Sequence, residues 1–163
     1  MRLLTEHGFG EFYRRNARPL WTYIYRVTGH AADADDIVQD AFVRILKVEL
    51  PEDEEEQRRY LFRVAGNLMA DRWRRTTRER AKLDRAQAPA PPAAADTADV
   101  RRIFGELKPR ERALLWLAYV EEEDHAGIAE SLGIARGSVK VLLSRARARI
   151  RDLLQARGVV RNS

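Results

Sequence analysis

The sequence of 163 residues contains no cysteine and only three histidines, which excludes disulfide bonds and thiolate chemistry. The histidines, His7, His30 and His125, are far apart in the sequence, and no nucleophile–base or metal-ligand spacing surrounds them. We therefore expect a protein that is not an enzyme and that has no metal and no cofactor. No apolar run approaches the length of a membrane span, and none follows a basic start as in a secretory leader. A cytoplasmic protein without membrane insertion is expected.

Alternating β-branched runs are missing too, whereas helical periodicity recurs along the chain, so the sequence predicts an all-α fold. One stretch, AQAPAPPAAADTAD from Ala86 to Asp99, lacks large apolar residues and cannot bury much surface. We predict a flexible Ala/Pro-rich linker over residues 86–100, which joins two small helical domains at residues 1–85 and 101–158.

Positive charge is concentrated in two stretches of the chain. Residues 72–82 contain six cations and one acid, and residues 136–151 contain six cations and no acid. The surface of a solvated helix normally mixes both signs, so two stretches of one sign indicate two contacts with a polyanion. The net charge of +5 agrees with such a partner.

In the N-terminal half, apolar residues at helical spacing predict two helices. The first covers residues 36–48, with Asp33 as its N-cap and a buried stripe of Ile37, Val38, Ala41, Phe42, Ile45 and Leu46. The second covers residues 57–75 or beyond and buries Leu61, Val64, Ala65, Leu68 and Met69. The acidic run PEDEEEQ between them is predicted to be a solvated loop. Upstream, Pro19 is predicted to open a helix, and the core gains Phe12, Leu20, Trp21, Ile24 and Val27.

The C-terminal half has the pattern of a helix-turn-helix. Pro109 is predicted to start a helix, and Ala129, Gly133 and Val139 supply a close packing position, a left-handed turn and an apolar anchor. The last helix begins near Arg136 and presents one polar side, formed by Arg136, Lys140, Ser144, Arg147 and Arg151. An α-helix fits the major groove of DNA, where Arg and Lys reach guanine edges or phosphates. The alternative is a three-helix bundle with a solvated basic face.

Three motifs decide between kinds of helix-turn-helix protein. In chain order they are DADDIVQDAFVRIL (Asp33 to Leu46), YLFRVAGNLMADRWRR (Tyr60 to Arg75) and IAESLGIARGSVKVLLSRARARIRDLL (Ile128 to Leu154). Together they closely resemble the extracytoplasmic-function (ECF) branch of bacterial RNA polymerase sigma factors. The resemblance covers nearly the whole chain.

The resemblance implies a sigma factor that binds core RNA polymerase, directs it to promoters and assists DNA melting. Residues 1–85 correspond to sigma region two, which binds the clamp helices of the β′ subunit and recognises and opens the minus-ten element. Residues 101–158 correspond to sigma region four, which reads the minus-thirty-five element in promoter DNA and touches the β-flap. The resemblance also implies an anti-sigma factor as a partner.

The same resemblance assigns site residues by position. Those for core-polymerase binding are Asp33, Asp36, Gln39, Asp40 and Phe42. Those for the minus-ten element are Tyr60, Arg63, Asn67, Asp71, Arg74, Arg75 and Arg78. Those for the minus-thirty-five element are Arg136, Ser138, Lys140, Ser144, Arg145 and Arg147. Asn67 and Asp71 stand where the family captures flipped bases, and an amide can read a base edge only after that base leaves the stack.

Several of these residues also have a purely structural interpretation. Phe42 lies on the apolar stripe, where an aromatic residue is more often core than a partner contact. Asn67 is also interpretable as a polar surface residue, and Tyr60 and Trp73 as core or as platforms for bases. A calcium loop does not fit Asp33 to Asp40, because Ile37 and Val38 stand where a ligand and a glycine are needed.

Three positions depart from the pattern of the family: Tyr60 stands for a frequent tryptophan, and Gly66 and Leu142 stand for frequent arginines. Leu142 lies on the apolar stripe of its helix, so we predict it to be core. Two other functions fit part of the sequence. A plain regulator would bind duplex promoter DNA without polymerase and would not need the second basic stretch. A sigma-like decoy, which titrates an anti-sigma factor, could dispense with DNA contacts altogether.

Overall fold

A computed structural model describes residues 2–83, 98–156 and 158; the side chains of 76, 77, 79–83 and 98–100 are outside this description. Its helices are α1 (Glu6–Thr28), α2 (Ala31–Leu46), α3 (Glu54–Leu83), α4 (Ala98–Glu106), α5 (Pro109–Tyr119), α6 (His125–Leu132) and α7 (Arg136–Ala156). The chain forms two compact units, one built on α1, α2 and α3 and the other on α4, α5, α7 and the start of α6. The predicted all-α fold with two helical domains is confirmed. Of the predicted linker, residues 86–97 lie outside the described residues, and residues 98–100 form the start of α4.

The first unit is a bundle in which α1 packs on α2 and α3, and α2 packs on α3. Its core confirms most of the predicted apolar stripes and consists of Phe12, Leu20, Tyr23, Ile24, Val27, Ala34, Ile37, Val38, Ala41, Phe42, Ile45, Leu50, Leu61, Phe62, Ala65 and Met69. Leu46 was predicted to be buried, but it is the last residue of α2 and is 49% exposed. Trp21, Val64 and Leu68 are half-buried rather than core.

Helix α2 begins three residues earlier than an Asp33 cap requires. His30 occupies the N-cap position without a side-chain hydrogen bond, and Asp33 lies inside the first turn. The predicted capping role of Asp33 is therefore wrong. Its carboxylate still lies at the positive end of the helix dipole, and it binds a cation from α3, as described below.

Helix α3 begins inside the acidic run that was predicted to be a loop. Asp53 caps it, since its Oδ2 accepts a hydrogen bond of 3.0 Å from the backbone N–H of Glu56. Glu54, Glu55 and Glu56 then form the first turn, where carboxylates are stabilised by the helix dipole. The loop prediction holds only for residues 51–53, because a run of acids is compatible with both a solvated loop and a helix start.

Pro19 lies in the interior of α1 rather than at its start, so that prediction is wrong. Proline removes one backbone donor from the helix, which usually ends or bends it. Here the buried side of α1 continues across it, with Phe12 and Asn16 before it and Leu20 and Ile24 after it. Tertiary packing on both sides of the proline therefore outweighs the lost hydrogen bond.

In the second unit, α7 packs against α4 and α5 around a core of Ile103, Leu107, Ala113, Leu114, Leu115, Leu117, Val139, Leu143 and Ala146. Pro109 is the first residue of α5, as predicted. The helix-turn-helix prediction is also confirmed: Gly133 has a φ of +64° between α6 and α7, and Ala129 and Val139 are buried. Helix α4 was not predicted.

Arg112 is a buried cation that holds the end of α4. Its Nη1 donates hydrogen bonds to the carbonyl oxygens of Gly105 at 3.0 Å and Leu107 at 2.6 Å, so it satisfies two acceptors at a helix C-terminus. Burial lowers the pKa of the Arg112 guanidinium, and the neighbouring Glu111 carboxylate partly opposes that shift. The side chain is therefore a structural element of this unit.

We expect Arg112→Leu to destabilise the second unit by about 1–3 kcal/mol, because the carbonyl groups of Gly105 and Leu107 lose a donor. Urea unfolding followed by far-UV circular dichroism should shift to lower urea. Arg110→Leu is the matched control, since Arg110 is an exposed arginine of the same helix. Equal unfolding midpoints for the two variants would contradict this role of Arg112.

Candidate protein and nucleic-acid interfaces

An apolar groove of about 630 Å³ runs between α1 and α2, and it contains part of the predicted polymerase site. Its lining residues are Phe9, Tyr13, Ala17, Arg18, Trp21, Asp35, Val38, Gln39, Phe42, Val43 and Leu46. Phe42 is buried at its base, with its ring centroid 6.0 Å from that of Phe9 and 4.8 Å from that of Tyr13. Tyr13, Val43 and Leu46 are exposed. An amphipathic helix of a partner protein is the kind of ligand that fits such a groove.

The predicted polar contacts of α2 have different surroundings. Gln39 lines the groove, and Asp40 is exposed. Asp33 and Asp36 instead face α3, where Arg72 binds both: its Nη1 is 3.1 Å from Asp33 Oδ1 and its Nη2 is 3.6 Å from Asp36 Oδ2.

Of the residues that line the groove, the sequence assigned only Gln39 and Phe42 to polymerase binding. Tyr13 and Val43 are exposed apolar residues on facing helices, and Asp35 accepts a hydrogen bond of 2.7 Å from Trp21 Nε1. The only signal in the sequence is that Val43 is apolar but lies off the buried stripe of α2. Pairing it with Tyr13 requires knowledge of how α1 and α2 pack.

The predicted minus-ten residues form an exposed face on α3. Arg63, Asn67, Asp71, Arg74 and Arg78 are all exposed, as the spacing of three and four residues predicts. Asp71 forms an ion pair with Arg74, one turn further along the helix. The amide of Asn67 is therefore presented beside a paired carboxylate and several cations, an arrangement suited to one base edge and its phosphates.

Two aromatic residues near this face have different positions. Trp73 is 50% exposed, which rules out a core role and leaves its ring accessible for stacking. Tyr60 is half-buried. Arg75 is exposed on the same stretch of α3, whereas Arg72 is turned towards α2. Arg72 is thus engaged with the acids of α2.

The predicted minus-thirty-five residues lie on α7. Arg136, Lys140, Ser144, Arg145 and Arg147 are exposed, and Ser138 is half-buried in the first turn. Arg147 Nη1 donates a hydrogen bond of 3.1 Å to the hydroxyl oxygen of Tyr119, an exposed residue at the end of α5 that sequence reasoning missed. Leu142 was predicted to be core but is half-buried. This surface has the shape and charge of a recognition helix.

Among residues 2–83, 98–156 and 158, no cluster of three or more His, Cys, Asp or Glu side chains is arranged to hold a metal ion. No helix in the same part of the chain is both long and apolar enough to cross a membrane.

Comparison with known families matches both halves of the chain. Residues 12–79 match the model of sigma-70 region 2, and residues 97–150 match that of sigma-70, region 4. The first match contains the α2 acids and the α3 face, and the second contains the helix-turn-helix. The exposed face of α3 and the predicted minus-thirty-five residues of α7 therefore lie within the matched segments.

Individual relatives agree with this result. The ECF RNA polymerase sigma factor SigL of Mycobacterium tuberculosis is 32% identical over 160 residues, which cover 91% of this chain and 90% of SigL. The RNA polymerase sigma-E factor of Streptomyces coelicolor is 31% identical over 156 residues, which cover 91% of this chain and 87% of that factor.

Two solved structures share the fold. CnrH, in complex with the cytosolic domain of CnrY, superimposes with a TM-score of 0.68 at 26% identity over 93% of this chain and 90% of CnrH. The sigma factor RpoE of Bartonella quintana, in complex with the anti-sigma factor NepR, superimposes with a TM-score of 0.72 at 22% identity. This match covers 90% of this chain and 96% of RpoE. With region 2, region 4 and a relative of nearly equal length all in agreement, the chain belongs to the ECF family of sigma factors, which direct RNA polymerase to promoters.

Proposed function

We propose that this sigma factor uses three surfaces. The α1–α2 groove and the acids beside it on α2 (Asp33, Asp36 and Asp40) bind core polymerase, the exposed face of α3 binds the opened minus-ten element, and α7 binds the minus-thirty-five element. The observation that supports this division most strongly is the exposed α3 face of Arg63, Asn67, Asp71, Arg74 and Arg78. A plain helix-turn-helix regulator would not need this second DNA-binding face on α3. The division assigns residues 1–85 and 101–158 to separate tasks.

For the polymerase contact, the groove supplies the apolar area and the acids beside it supply charge. Phe42 and Val43 would pack against the apolar side of a partner helix, and Asp40 beside them would attract basic residues on the same helix. Basic clamp helices of the β′ subunit are a partner with this chemistry. Binding in the absence of DNA, measured by co-elution of the full chain with core polymerase, tests this contact directly.

For the minus-ten contact, Asn67 is the residue expected to grip a base. Its exposed amide offers a donor and an acceptor, while Arg74, Arg75 and Arg78 are placed along the same helix to hold the phosphate backbone. Unstacking a base costs a few kcal/mol, so the chain alone is expected to open duplex DNA poorly. Polymerase supplies the remaining free energy through its own DNA contacts.

For the minus-thirty-five contact, we expect Lys140→Ala with Arg145→Ala to weaken promoter binding by about 1–3 kcal/mol for each base contact that is lost. The measurement is the affinity of the holoenzyme for duplex promoter DNA over a range of salt. The matched control is Arg101→Ala with Arg102→Ala, which removes two exposed cations of the same unit from α4. Equal losses for the two double variants would show that only net charge matters.

We also propose a regulatory protein partner for this chain. CnrH and RpoE were each solved with a protein bound, and we propose that a partner of the anti-sigma kind also binds this chain and competes with polymerase for the α1–α2 groove.

The three surfaces act by binding alone, so the protein is proposed to be a non-enzymatic initiation factor that works in the cytoplasm, where its polymerase and promoters are. A regulator or a decoy would fail to support transcription by core polymerase.

A further inference from the structure

Arg72 connects two surfaces that have separate roles in the proposed function. It belongs to α3, yet its guanidinium reaches α2 and lies 3.1 Å from Asp33 Oδ1 and 3.6 Å from Asp36 Oδ2. Asp33 and Asp36 are three residues apart and therefore share one side of α2. One cation thus pairs with two carboxylates of α2.

Neighbouring charged residues are arranged differently. Arg74 pairs with Asp71 and Arg59 with Glu55, in each case within α3 itself. Asp35 accepts its hydrogen bond from Trp21 of α1. Asp40, one turn after Asp36 on α2, is exposed. The Arg72 cluster differs from these pairs because it joins the acids of α2 to α3, which carries the proposed DNA-binding face.

The cluster is accessible enough to exchange its partners. The side chains of Arg72, Asp33 and Asp36 are 29%, 41% and 62% exposed. Ion pairs at this exposure are weak, and each changes an equilibrium constant by a factor of about two to five. A basic helix that binds Asp33 and Asp36, or a phosphate that binds Arg72, can thus displace the internal partner at low cost.

We propose that Arg72 is a shared residue that couples polymerase binding to DNA binding. In the free chain it is held by Asp33 and Asp36. When cations of a polymerase helix bind these two acids, Arg72 is released and turns to the phosphates of the DNA strand on α3. Because linkage is reciprocal, DNA that binds Arg72 must also strengthen the acidic surface for polymerase. This coupling rests on the proposed function of the α2 and α3 surfaces.

The test uses the full chain, core polymerase and a single-stranded oligonucleotide that carries the non-template minus-ten sequence. The affinity for core polymerase is measured with and without saturating oligonucleotide, and the ratio of the two is the coupling. Arg72→Gln is expected to bind core polymerase about two- to fivefold more tightly than wild type without DNA, because its acids are free, and to show a coupling lower by the same factor. Asp33→Asn with Asp36→Asn is expected to bind the oligonucleotide about two- to fivefold more tightly in the absence of polymerase.

Arg75→Gln is the matched comparison, because it removes one exposed cation from α3 without touching Asp33 or Asp36. It should weaken oligonucleotide binding equally with and without polymerase and so keep the wild-type coupling. Helix content and the unfolding temperature of every variant are measured alongside. Wild-type coupling in Arg72→Gln, or weaker polymerase binding by it, would overturn the shared role and leave Arg72 as a structural ion pair. Failure of the wild-type chain to bind core polymerase at all would instead overturn the proposed function.

Discussion

An Asp40→Arg, Val43→Arg variant is expected to lose at least about 100-fold in affinity for core RNA polymerase, or about 2.8 kcal/mol. The first substitution reverses a charge that faces a basic partner, and the second places a cation in the apolar groove, where burial without a counter-charge is costly. Both side chains are exposed, so the fold of the α1–α3 unit should be retained. The measurement is equilibrium binding of labelled full-length chain to core polymerase.

Glu52→Arg with Leu3→Arg is the control for this experiment. It makes the same change in net charge on the same unit, with an exposed acid and an exposed apolar residue that do not line the groove. Wild-type affinity is expected for it. If the groove variant binds polymerase as tightly as this control while keeping its helix content, the groove is not the polymerase surface.

Replacement of Asn67 by alanine is expected to leave the holoenzyme bound at the promoter but unable to open it efficiently. Loss of an amide that grips a flipped base costs about 1–3 kcal/mol, so strand opening should fall by about 5- to 150-fold. Binding to closed duplex should change little, since it depends on cations and on α7. Permanganate reactivity of unpaired thymines measures the opening, and filter binding at low temperature measures the closed complex.

Two controls separate a specific role of Asn67 from a general loss of function. A template whose minus-ten element is already unpaired should restore much of the transcription, because the unstacking cost has been removed. Glu56→Ala changes another exposed residue of α3, far along the helix from the DNA-facing side, and should open promoters normally. Unchanged permanganate reactivity in Asn67→Ala would show that this amide holds no base.

The elements of the fold that could be predicted are those whose cause is local. The stripe of Ile37, Ala41 and Ile45 follows from helical spacing, and Gly133 follows from the need for a left-handed turn before α7. Helix α4 was missed because it is short and follows the Ala/Pro-rich stretch. The available signal was the spacing of four between Ile103 and Leu107, both of which are buried.

The errors in prediction concern residues whose surroundings depend on how the helices pack or where they end. Asp33 was assigned to a local cap, whereas its partner Arg72 is 39 residues away, a pairing that no local pattern contains. Pro19 was treated as a helix start because proline is usual there, yet packing of the surrounding residues keeps it inside α1. Leu46 matched the stripe but lies where α2 ends.

The candidate binding surfaces also differ in how far the sequence could predict them. The exposed face of α3 and the basic side of α7 each lie on one helix, so spacing alone placed their residues correctly on the surface. The groove requires two helices, and its contributors Tyr13 and Val43 appeared only once α1 and α2 were packed together. The assignment of each residue to polymerase or DNA came from resemblance to the family and stays a prediction.

The central claim, that this chain directs core polymerase to promoters and opens them, is tested most directly by transcription in vitro. Core RNA polymerase is mixed with the full chain and a library of promoter fragments, and both transcripts and permanganate reactivity are mapped. The account predicts start sites that appear only when chain and core enzyme are both present, each with an unpaired segment at its minus-ten position. Tight binding of the chain alone to promoter duplex, with no opening and no transcript from any fragment, would contradict it and favour a plain regulator.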